Sequence, residues 1–283
     1  MNASTLASSL LGEDKEFLMT GRDFDEIADL AYKHTGIVLG RHKANMVYGR
    51  IARRLRQLGI GTFREYLTFL NKNFEKESTD FINLITTNLT SFYRESHHFD
   101  YLKSTVIPEL KEKTEKRVRI WSSGCSIGQE AYTIAFTLAD AAFPASWDIK
   151  ILATDLDSNV IETGRSGVYP VDHIGTVPDP VIERYFQKSK DTTQVKIKKS
   201  ILEMVHFKRL NLLESWPMSG PFDVIFCRNV VIYFDRDTQK KLFDRYADYL
   251  PVGGHLIIGH SESINGLSDR FESVGNTIYR KLY

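Results

Sequence analysis

The sequence predicts an α/β protein built on a doubly wound, mostly parallel β-sheet, with an all-helical domain before the sheet and a small β-subdomain inserted into it. Helical periodicity dominates the N-terminal part of the chain, and short β-rich runs alternate with helical patterns after it. The segment at about 168–204 interrupts that alternation and holds three of the eight prolines. We therefore expect a flexible arm over residues 1–20, a helical domain over 21–113, and a sheet domain over 114–283 that contains the insertion.

Glycines and caps mark the expected helix ends. Apolar residues at helical spacing predict a first helix that ends at Gly36, and a second over about 42–58 that is followed by Gly59. Thr62 and Glu65 stand at the spacing of a capping box, which predicts the start of a third helix. Further helices are expected at 81–86 and 96–110.

Apolar β-rich runs mark the expected strands. Runs that are apolar nearly throughout and separated by helices indicate a parallel sheet covered on both faces. Right-handed crossovers then place ligand-binding loops at the carboxyl ends of the strands. The strands are predicted at 118–122, 149–154, 203–210, 222–227 and 255–260. The terminal run TIYRKLY is expected to add an antiparallel strand at the edge of the sheet.

The composition is that of an ordinary globular protein. Of 283 residues, 42% are hydrophobic and 26% charged, and a net charge of +1 excludes a strongly basic or acidic protein. No apolar run approaches the roughly 18–20 residues of a membrane span, and the N-terminus lacks a signal-peptide pattern. The only two cysteines, Cys125 and Cys227, are far apart, which favours a reducing compartment. We expect a cytoplasmic protein without membrane insertion, and a reduced cysteine pair with no role.

A glycine loop joins the first predicted strand to a helix. In WSSGCSIGQEAY, Gly124 and Gly128 precede a helix N-terminus, whose unpaired N–H groups suit anionic or polar ligands. The spacing does not match the dinucleotide fingerprint G-x-G-x-x-G, and the Gly-Lys-Ser/Thr of a P-loop is absent. The run ILATDLD places Asp155 at the end of the second strand, where a carboxylate can accept both ribose hydroxyls. These features favour S-adenosylmethionine over NAD, and leave open a glycine-rich turn beside an exposed aspartate.

Several segments resemble, in order and spacing, the CheR family of bacterial chemotaxis receptor methyltransferases. They are NLTSFYRESHHF, WSSGCSIGQEAYTIA, ATDLD, LNLLE, CRNVVIYF and, in the N-terminal helices, HKANMVYGRIARRLR. The resemblance covers nearly all of the chain, and the combination is far more specific than any single motif. It implies a class I methyltransferase-like fold. It also implies transfer of a methyl group from S-adenosylmethionine to glutamate side chains of chemoreceptors, which yields methyl esters and S-adenosylhomocysteine.

The resemblance also assigns site residues. Arg94 matches a position next to the reacting centre and Tyr233 an active-site tyrosine, so both are expected to be catalytic. Glu130 matches a contact to the methionine end or the ribose, and Asp155 matches the ribose-binding carboxylate. The other expected cofactor contacts are Asn88, Thr90, Arg94, Asn211, Leu212, Arg228 and Asn229. Family members often have Glu-Glu-Pro where this chain has Gln129-Glu130-Ala131, and the second acid is retained.

Plainer alternatives exist for these assignments. An isolated Arg94 would more often pair with Glu95, and an isolated Tyr233 would more often be a core aromatic. His97 and His98 have no third ligand at metal spacing, so no metal site is expected.

The implied reaction needs no general base. A glutamate carboxylate, with an ordinary pKa of about 4.3, is already ionised at neutral pH. Because an anion meets a sulfonium, charge is lost in the transition state, and a strong salt bridge to the substrate would favour the ground state. We therefore expect Arg94 and Tyr233 to orient the carboxylate with moderate hydrogen bonds in a site that excludes water.

The second helix begins a basic segment. From Arg41 to Arg64 the chain has seven Lys or Arg residues and no acid, and charges of one sign without a partner favour an acidic or polyanionic partner over a merely solvated face. Glutamate-rich receptor helices fit this requirement, and RNA would also fit. The resemblance places the helix against the receptor, with the expected contacts Lys43, Arg50, Arg53 and Arg56.

The insertion leads to a further expectation. In some family members this subdomain docks a receptor C-terminal pentapeptide as an added strand. Members that do so tend to have a glycine-containing hairpin loop, whereas QKSKDTTQVKI has no glycine and is slightly short. The sequence therefore disfavours pentapeptide tethering.

Three competing functions are less well supported. A nucleic-acid methyltransferase would carry an Asn/Asp-Pro-Pro-aromatic motif where this chain has CRNVVIYF, so no nucleic-acid substrate is expected. The presence of Asp155, Arg94 and Tyr233 argues against a non-catalytic cofactor-binding adapter. The glycine spacing disfavours an NAD oxidoreductase.

Overall fold

The computed structural model describes residue 10 and residues 15–188 and 193–283. The chain forms two compact units. The first contains the residues up to Thr87 together with Tyr233–Asp235, and the second contains Asn88–Ile232 and Arg236–Tyr283. Most of the expected N-terminal arm, and the tip of the hairpin in the insertion, lie outside the described residues.

The first unit is helical. Its helices are α1 (Gly21–Thr35), α2 (Ala44–Leu58), α3 (Phe63–Lys72) and α4 (Phe74–Ile85), with a 3₁₀ turn at Arg41–Lys43 before α2. Gly36 and Gly59 end α1 and α2 in the left-handed conformation, with φ of 70° and 66°, so the predicted helix ends are confirmed. The Oγ1 atom of Thr62 accepts a hydrogen bond from the backbone N of Glu65 at 3.1 Å, which caps α3.

The second unit is an α/β domain. Its helices are α5 (His97–Tyr101), α6 (Ile107–Lys111), α7 (Gln129–Asp140), α8 (Ser158–Ser166), α9 (Asp179–Tyr185), α10 (Lys199–Leu202) and α11 (Arg236–Asp248). Its strands are β1 (Arg117–Ser122), β2 (Asp148–Asp155), β3 (Val168–Pro170), β4 (Phe186–Lys188), β5 (Gln194–Ile197), β6 (Val205–Arg209), β7 (Val224–Cys227), β8 (His255–Ile258), β9 (Phe271–Gly275) and β10 (Ile278–Lys281). A π-helical turn at Leu102–Val106 joins α5 to α6.

The main sheet has seven strands in the order β6-β2-β1-β7-β8-β10-β9. The first five strands are parallel to one another, and β10 is antiparallel to both β8 and β9. The insertion forms a separate antiparallel sheet in the order β3-β5-β4 and carries α9. The doubly wound, mostly parallel sheet with an inserted β-subdomain is therefore confirmed.

One strand position was predicted wrongly. The C-terminal strand β10 is antiparallel as expected, but it is not at the edge, because β9 pairs with its outer side. The run that forms β9 shows no alternation of buried and exposed residues, since only Phe271 is buried. Its turn uses Asn276 and Thr277 at positive φ instead of the Asn-Gly that marks most tight hairpins.

Residues 88–113, expected at the end of the helical domain, belong to the second unit. The reason is that their apolar side chains join the core of that unit around the sheet. These side chains include Phe92, Phe99, Leu102, Val106 and Ile107. Helical periodicity identifies an apolar face but does not tell which core it covers. Among the described residues, no helix is long and apolar enough to cross a membrane.

Close packing of α8 on β6 leaves no room for a side chain at Gly164. A Cβ atom there would lie 2.4 Å from Cε1 of Phe207, whereas nothing described lies within 4 Å of a Cβ at Gly49 in α2. Alanine is preferred over glycine inside a helix by up to about 1 kcal/mol where space allows.

Gly164→Ala should lower the free energy of unfolding by about 1–3 kcal/mol, because the Phe207 ring must move. The matched substitution Gly49→Ala should instead raise it by about 0.5–1 kcal/mol. Chemical denaturation followed by circular dichroism measures both changes. A stabilising effect of Gly164→Ala would show that the contact with Phe207 imposes no constraint.

Candidate functional site

The expected cofactor residues lie at the carboxyl ends of adjacent parallel strands. Asn211 and Leu212 follow β6, Asp155 ends β2, and Arg228 and Asn229 follow β7. The glycine loop follows β1, which lies between β2 and β7. Parallel strands end at the same edge of a sheet, so segments far apart in the chain meet where open α/β sheets bind their ligands.

The glycine loop is held tightly against the neighbouring strand ends. The backbone N of Ser126 donates to Oδ2 of Asp155 at 2.8 Å, and the backbone N of Cys125 donates to the carbonyl of Thr154 at 2.8 Å. A Cβ atom at Gly124 would lie 2.3 Å from Cγ2 of Val230 in the turn after β7. Gly124 therefore permits close packing of the loops that follow β1 and β7, at the edge of the sheet where the parallel strands end. We call this edge, where the expected cofactor residues lie, the cofactor edge.

Asp155 is half-buried at the end of β2. Its Oδ1 atom also accepts a hydrogen bond from the backbone N of Asp157 at 3.0 Å. Burial raises the pKa of Asp155 to about 6, although the hydrogen bonds from Asp157 and Ser126 act in the opposite direction. Asp155 is therefore an acceptor at the strand end whose charge is sensitive to pH just below neutrality.

Asn88 is connected to this strand end through Asp157. The Nδ2 atom of Asn88 donates to Oδ2 of Asp157 at 2.7 Å, while Oδ1 of Asp157 caps α8 at Asn159. Asp157 was not predicted from the sequence, although an aspartate directly before a helix is a recognisable N-cap signal.

The loop that contains Asn88 and Thr90 is fixed by hydrogen bonds on both sides. Oγ of Ser126 donates to the carbonyl of Asn88, and Oγ1 of Thr176 in the insertion donates to the carbonyl of Phe92, each at 2.8 Å. Thr90 is half-buried within it. Left-handed φ angles of 54° occur at both Tyr93 and Glu95, a conformation that is costly for residues other than glycine and often found at functional sites.

Glu130 forms a buried ion pair with Arg228. Its Oε2 atom lies 3.1 Å from Nη1 of Arg228, and its Oε1 atom accepts from Oγ of Ser122 at 2.7 Å. Burial raises the pKa of Glu130, and the charge of Arg228 opposes that rise. Both carboxylate oxygens have protein donors, so a direct contact of Glu130 with the cofactor stays a prediction.

Arg228 extends this network to the loop of Arg94. It donates to the backbone carbonyl of Arg94, and its Nη2 atom lies 3.5 Å from Oε2 of Glu95. The side chain of Arg228 is 2% exposed, so its charge is compensated almost wholly inside the protein.

The side chain of Arg94 is partly accessible, with 31% exposed. Its Nη1 atom donates to the carbonyl of Leu89 at 2.8 Å, and its Nε atom is 3.9 Å from Oε1 of Glu95. The carboxylate of Glu95 instead accepts closer hydrogen bonds from the backbone N and Nδ1 of His260, at 3.1 and 2.9 Å. The plainer alternative, pairing of Arg94 with Glu95, is therefore present as a long ion pair, and the catalytic role of Arg94 stays a prediction.

Glu95 joins three loops of the site. Besides His260, it accepts a hydrogen bond from Nδ2 of Asn229 at 3.4 Å. Burial raises the pKa of Glu95, but the His260 hydrogen bond and the Arg228 charge outweigh burial and lower it to about 2. Glu95 is therefore ionised at neutral pH. From the sequence, Glu95 was predicted only as a partner for Arg94.

Asn211 and Leu212 lie in the turn after β6. The side chain of Asn211 closes this turn with two hydrogen bonds of 3.1 Å. Its Nδ2 atom donates to Glu214, and its Oδ1 atom accepts from the backbone N of Leu213. Leu212 is 7% exposed, and its carbonyl accepts from Arg245 at 2.7 Å. An apolar side chain here suits the adenine side of a cofactor. The contact of Asn211 and Leu212 with adenine stays a prediction.

Tyr233 belongs to the first unit and is half-buried, so the alternative of a core aromatic does not hold. Its carbonyl accepts a hydrogen bond from the backbone N of Val38 at 2.8 Å. The Nζ atom of Lys43 lies 4.8 Å from the centre of its ring, a cation–π distance. Burial lowers the pKa of Lys43. An expected catalytic residue and an expected substrate-binding residue are therefore in contact.

The expectation that the basic segment lacks partners is wrong. Arg54 binds Glu77 and Asp80, Arg56 binds Glu16, Arg41 binds Asp25, and Arg64 binds Asp23 and Glu26. Arg50 donates to the carbonyls of Leu84 and Thr86. The acids come from α1, α4 and the residues before α1, where a scan of the segment itself could not find them. In the described parts of the chain, exposed Arg53 has neither a hydrogen bond nor an ion pair.

The affinity for S-adenosylhomocysteine should fall as pH is lowered through about 6, because ribose hydroxyls bind best to an ionised Asp155. Asp155→Asn should weaken binding at pH 8 by about 10- to 100-fold and remove this pH dependence. Calorimetric titration between about pH 5 and pH 8 measures both effects. The same steep fall in the variant would assign the pH dependence to another group.

The pH dependence of unfolding of the ligand-free protein tests independently whether the pKa of Asp155 is raised. Because the folded-state pKa of Asp155 is raised, its contribution to stability is complete below the unfolded pKa of about 3.9 and is lost as pH rises through about 6. Asp155→Asn should remove this part of the pH dependence of unfolding.

Comparison with known proteins identifies the family. The SAM-binding domain of CheR methyltransferases matches residues 88–280, and the all-alpha domain of CheR methyltransferases matches residues 22–86. Chemotaxis protein methyltransferase 2 of Pseudomonas aeruginosa is 39% identical over 269 residues, which cover 94% of this chain and 95% of the relative. The chemotaxis protein methyltransferase of Salmonella typhimurium is 40% identical over 276 residues, covering 96% and 94%. With the strand-end loops arranged for an adenosyl cofactor and both units matched, the chain belongs to the CheR family of S-adenosylmethionine-dependent chemotaxis methyltransferases.

Proposed function

We propose that this methyltransferase transfers the methyl group of S-adenosylmethionine to glutamate side-chain carboxylates in the cytoplasmic domains of chemoreceptors, forming methyl esters in chemotactic adaptation. The observation that carries the proposal is the partly exposed Arg94, held beside the cofactor edge through its own carbonyl and the buried Glu130–Arg228 pair. Relatives named chemotaxis protein methyltransferases, about 40% identical over most of the chain, support the same assignment.

The substrate supplies a nucleophile that is already ionised. A glutamate side chain has an ordinary pKa of about 4.3, so no side chain of the enzyme has to remove a proton. When bound, S-adenosylmethionine supplies an electrophilic methyl carbon on a positively charged sulfonium. The task of the protein is therefore to align the carboxylate and to exclude water.

Arg94 is suited to orient an anion without binding it too strongly. One of its guanidinium nitrogens already donates to the carbonyl of Leu89, and others remain available for one carboxylate oxygen of the substrate. A moderate interaction is required because charge disappears in the transition state, so tight binding of the anion would mainly stabilise the ground state. Tyr233 has the second orienting role, with Lys43 against its ring.

The remaining cofactor residues bind and position. Asp155 would accept the ribose hydroxyls, Asn211 and Leu212 would contact the adenine side, and the polar loops after β7 and before α5 would contact the methionine end. Those loops contribute Asn88, Thr90, Arg228 and Asn229. Glu130 would hold the side chain of Arg228 in position through their ion pair.

Fewer residues of the basic segment are available to bind the receptor than were predicted from the sequence. Arg53 is exposed, and Arg56 forms only an exposed ion pair with Glu16. Exposed ion pairs contribute little to stability because water screens them, so a receptor glutamate can replace Glu16. Arg50 is half-buried and donates to two backbone carbonyls, so its main role is to hold α2 to the C-terminal end of α4. We therefore assign Arg53 and Lys43 the main contacts, with Arg56 next.

The prediction against pentapeptide tethering rests on the hairpin loop of the insertion, whose residues 189–192 lie outside the described part of the chain. It stays a prediction. Titration with a receptor C-terminal pentapeptide tests it separately from the methylation reaction.

Incubation with tritiated S-adenosylmethionine and receptor-containing membranes should label the receptors, and mild base should release the label as methanol. Base lability is expected because carboxyl methyl esters hydrolyse in base, whereas methylated nitrogen does not. Label that survives base treatment, or that appears on RNA instead of receptors, would rule out the proposed substrate.

In the same assay, Arg94→Ala tests whether Arg94 has a catalytic role. It should reduce label transfer by about 100-fold, because a carboxylate that is no longer aligned with the methyl group loses the rate advantage of orientation. The affinity for S-adenosylhomocysteine, measured by calorimetry, should change far less. Equal losses of affinity and of label transfer would remove the catalytic assignment of Arg94.

Arg53→Ala should raise the KM for receptor several-fold at low salt, and the effect should fade at high salt. The reason is that the screening length falls from about 10 Å at 0.1 M to about 3 Å at 1 M ionic strength. Arg56→Ala should have a smaller effect because Glu16 already compensates part of its charge.

Lys72→Ala, which removes another exposed cation of the first unit, is the control for Arg53. It should leave the KM for receptor unchanged. If Lys72→Ala and Arg53→Ala had the same effect, net charge and not a defined face would control receptor binding.

A further inference from the structure

Glu262 lies just after β8 and holds the turn that follows β7. Its carboxylate accepts four backbone N–H groups: Oε2 accepts from Gly259 at 2.6 Å and from Asn229 at 2.9 Å, and Oε1 accepts from Val230 at 2.8 Å and from Ile232 at 3.3 Å. The residue is 6% exposed. Three of the four donors belong to one short turn, so a single side chain satisfies most of its inward-facing N–H groups.

A carboxylate is the side chain best suited to this position. Its two oxygens accept up to about four hydrogen bonds and donate none when ionised, whereas the amide of glutamine would turn an NH₂ group toward one pair of donors. Unpaired buried N–H groups are costly, so the turn depends on this acceptor. Asn229 has a left-handed φ of 57°, a conformation that persists only where the surroundings hold it.

The approach of the two loops is close enough to exclude a larger residue at the start of the Glu262 turn. A Cβ atom at Gly259 would lie 2.8 Å from the backbone N of Asn229. On its other side, Asn229 donates from Nδ2 to Glu95. Two carboxylates therefore hold this turn: Glu262 binds its backbone N–H groups, and Glu95 binds the side chain of Asn229.

We propose that Glu262 is a positioning residue for methyl transfer: through the backbone of Asn229, Val230 and Ile232 it sets the orientation of Arg228 and Asn229 toward the cofactor. Its effect on turnover rests on the proposed function. Its effect on cofactor affinity requires only that the protein binds S-adenosylmethionine.

The test compares Glu262→Gln with Asp223→Asn in the full chain. Asp223 is also a buried carboxylate that accepts a backbone N–H group, that of Arg119 at 2.7 Å, but it lies just before β7, at the opposite end of that strand from Arg228. Both substitutions should lower the melting temperature. Glu262→Gln alone should weaken binding of S-adenosylhomocysteine by about 10-fold or more and lower kcat, whereas Asp223→Asn should change the affinity less than about twofold.

Calorimetry at a temperature well below both melting transitions gives the decisive reading. The inference is overturned if Glu262→Gln binds within about twofold of the wild type, or if Asp223→Asn loses as much affinity. If Glu262→Gln does not fold, Glu262→Asp keeps the acceptor charge on a shorter side chain and takes its place. Weaker binding by that folded variant than by Asp223→Asn supports the inference, and equal binding overturns it.

The two proposals can fail separately. Wild-type protein that binds S-adenosylhomocysteine but labels no receptor would refute the receptor substrate, while the comparison of affinities would still decide the role of Glu262.

Discussion

The buried ion pair between Glu130 and Arg228 is the interaction on which the cofactor edge depends. It joins the first turn of α7 to the turn after β7, and the same guanidinium binds the carbonyl of Arg94 and lies near Glu95. Removing one partner of such a pair leaves an uncompensated buried charge and costs about 3–5 kcal/mol. One arginine therefore connects three loops, and the position of Arg94 follows from it.

Carboxylates organise the rest of this edge by accepting backbone N–H groups at the ends of strands. Asp155 accepts from Ser126 and Asp157, Glu95 from His260, and Glu262 from the turn after β7. These bonds hold residues in left-handed conformations that would otherwise be unfavourable. The consequence is a set of loops whose geometry is established by hydrogen bonds within the protein itself.

The first unit follows a different electrostatic plan. Four of the seven cations of its basic segment form ion pairs with acids of α1, of α4 and of the residues before α1, and Glu77 is buried between Arg54 and the hydroxyl of Tyr66. Internal pairing reduces the field of the segment as a whole, but leaves Arg53 accessible and places Lys43 on the ring of Tyr233. Recognition of an acidic partner would then rest on a few positions and not on bulk charge.

Patterns that are local in the chain were enough to predict the class of fold and the ends of α1 and α2 at Gly36 and Gly59, because periodicity and caps involve neighbouring residues. The glycine loop and Asp155 favoured S-adenosylmethionine, and the resemblance of several motifs to the CheR family identified it as the cofactor. Other features depended on the tertiary structure: β9 lies outside β10, residues 88–113 cover the sheet, acids distant in sequence compensate the basic segment, and Glu130 and Glu262 accept hydrogen bonds from protein donors. Those outcomes join residues that are distant in sequence. Their pairing depends on which surfaces the fold brings together, and no local pattern records it.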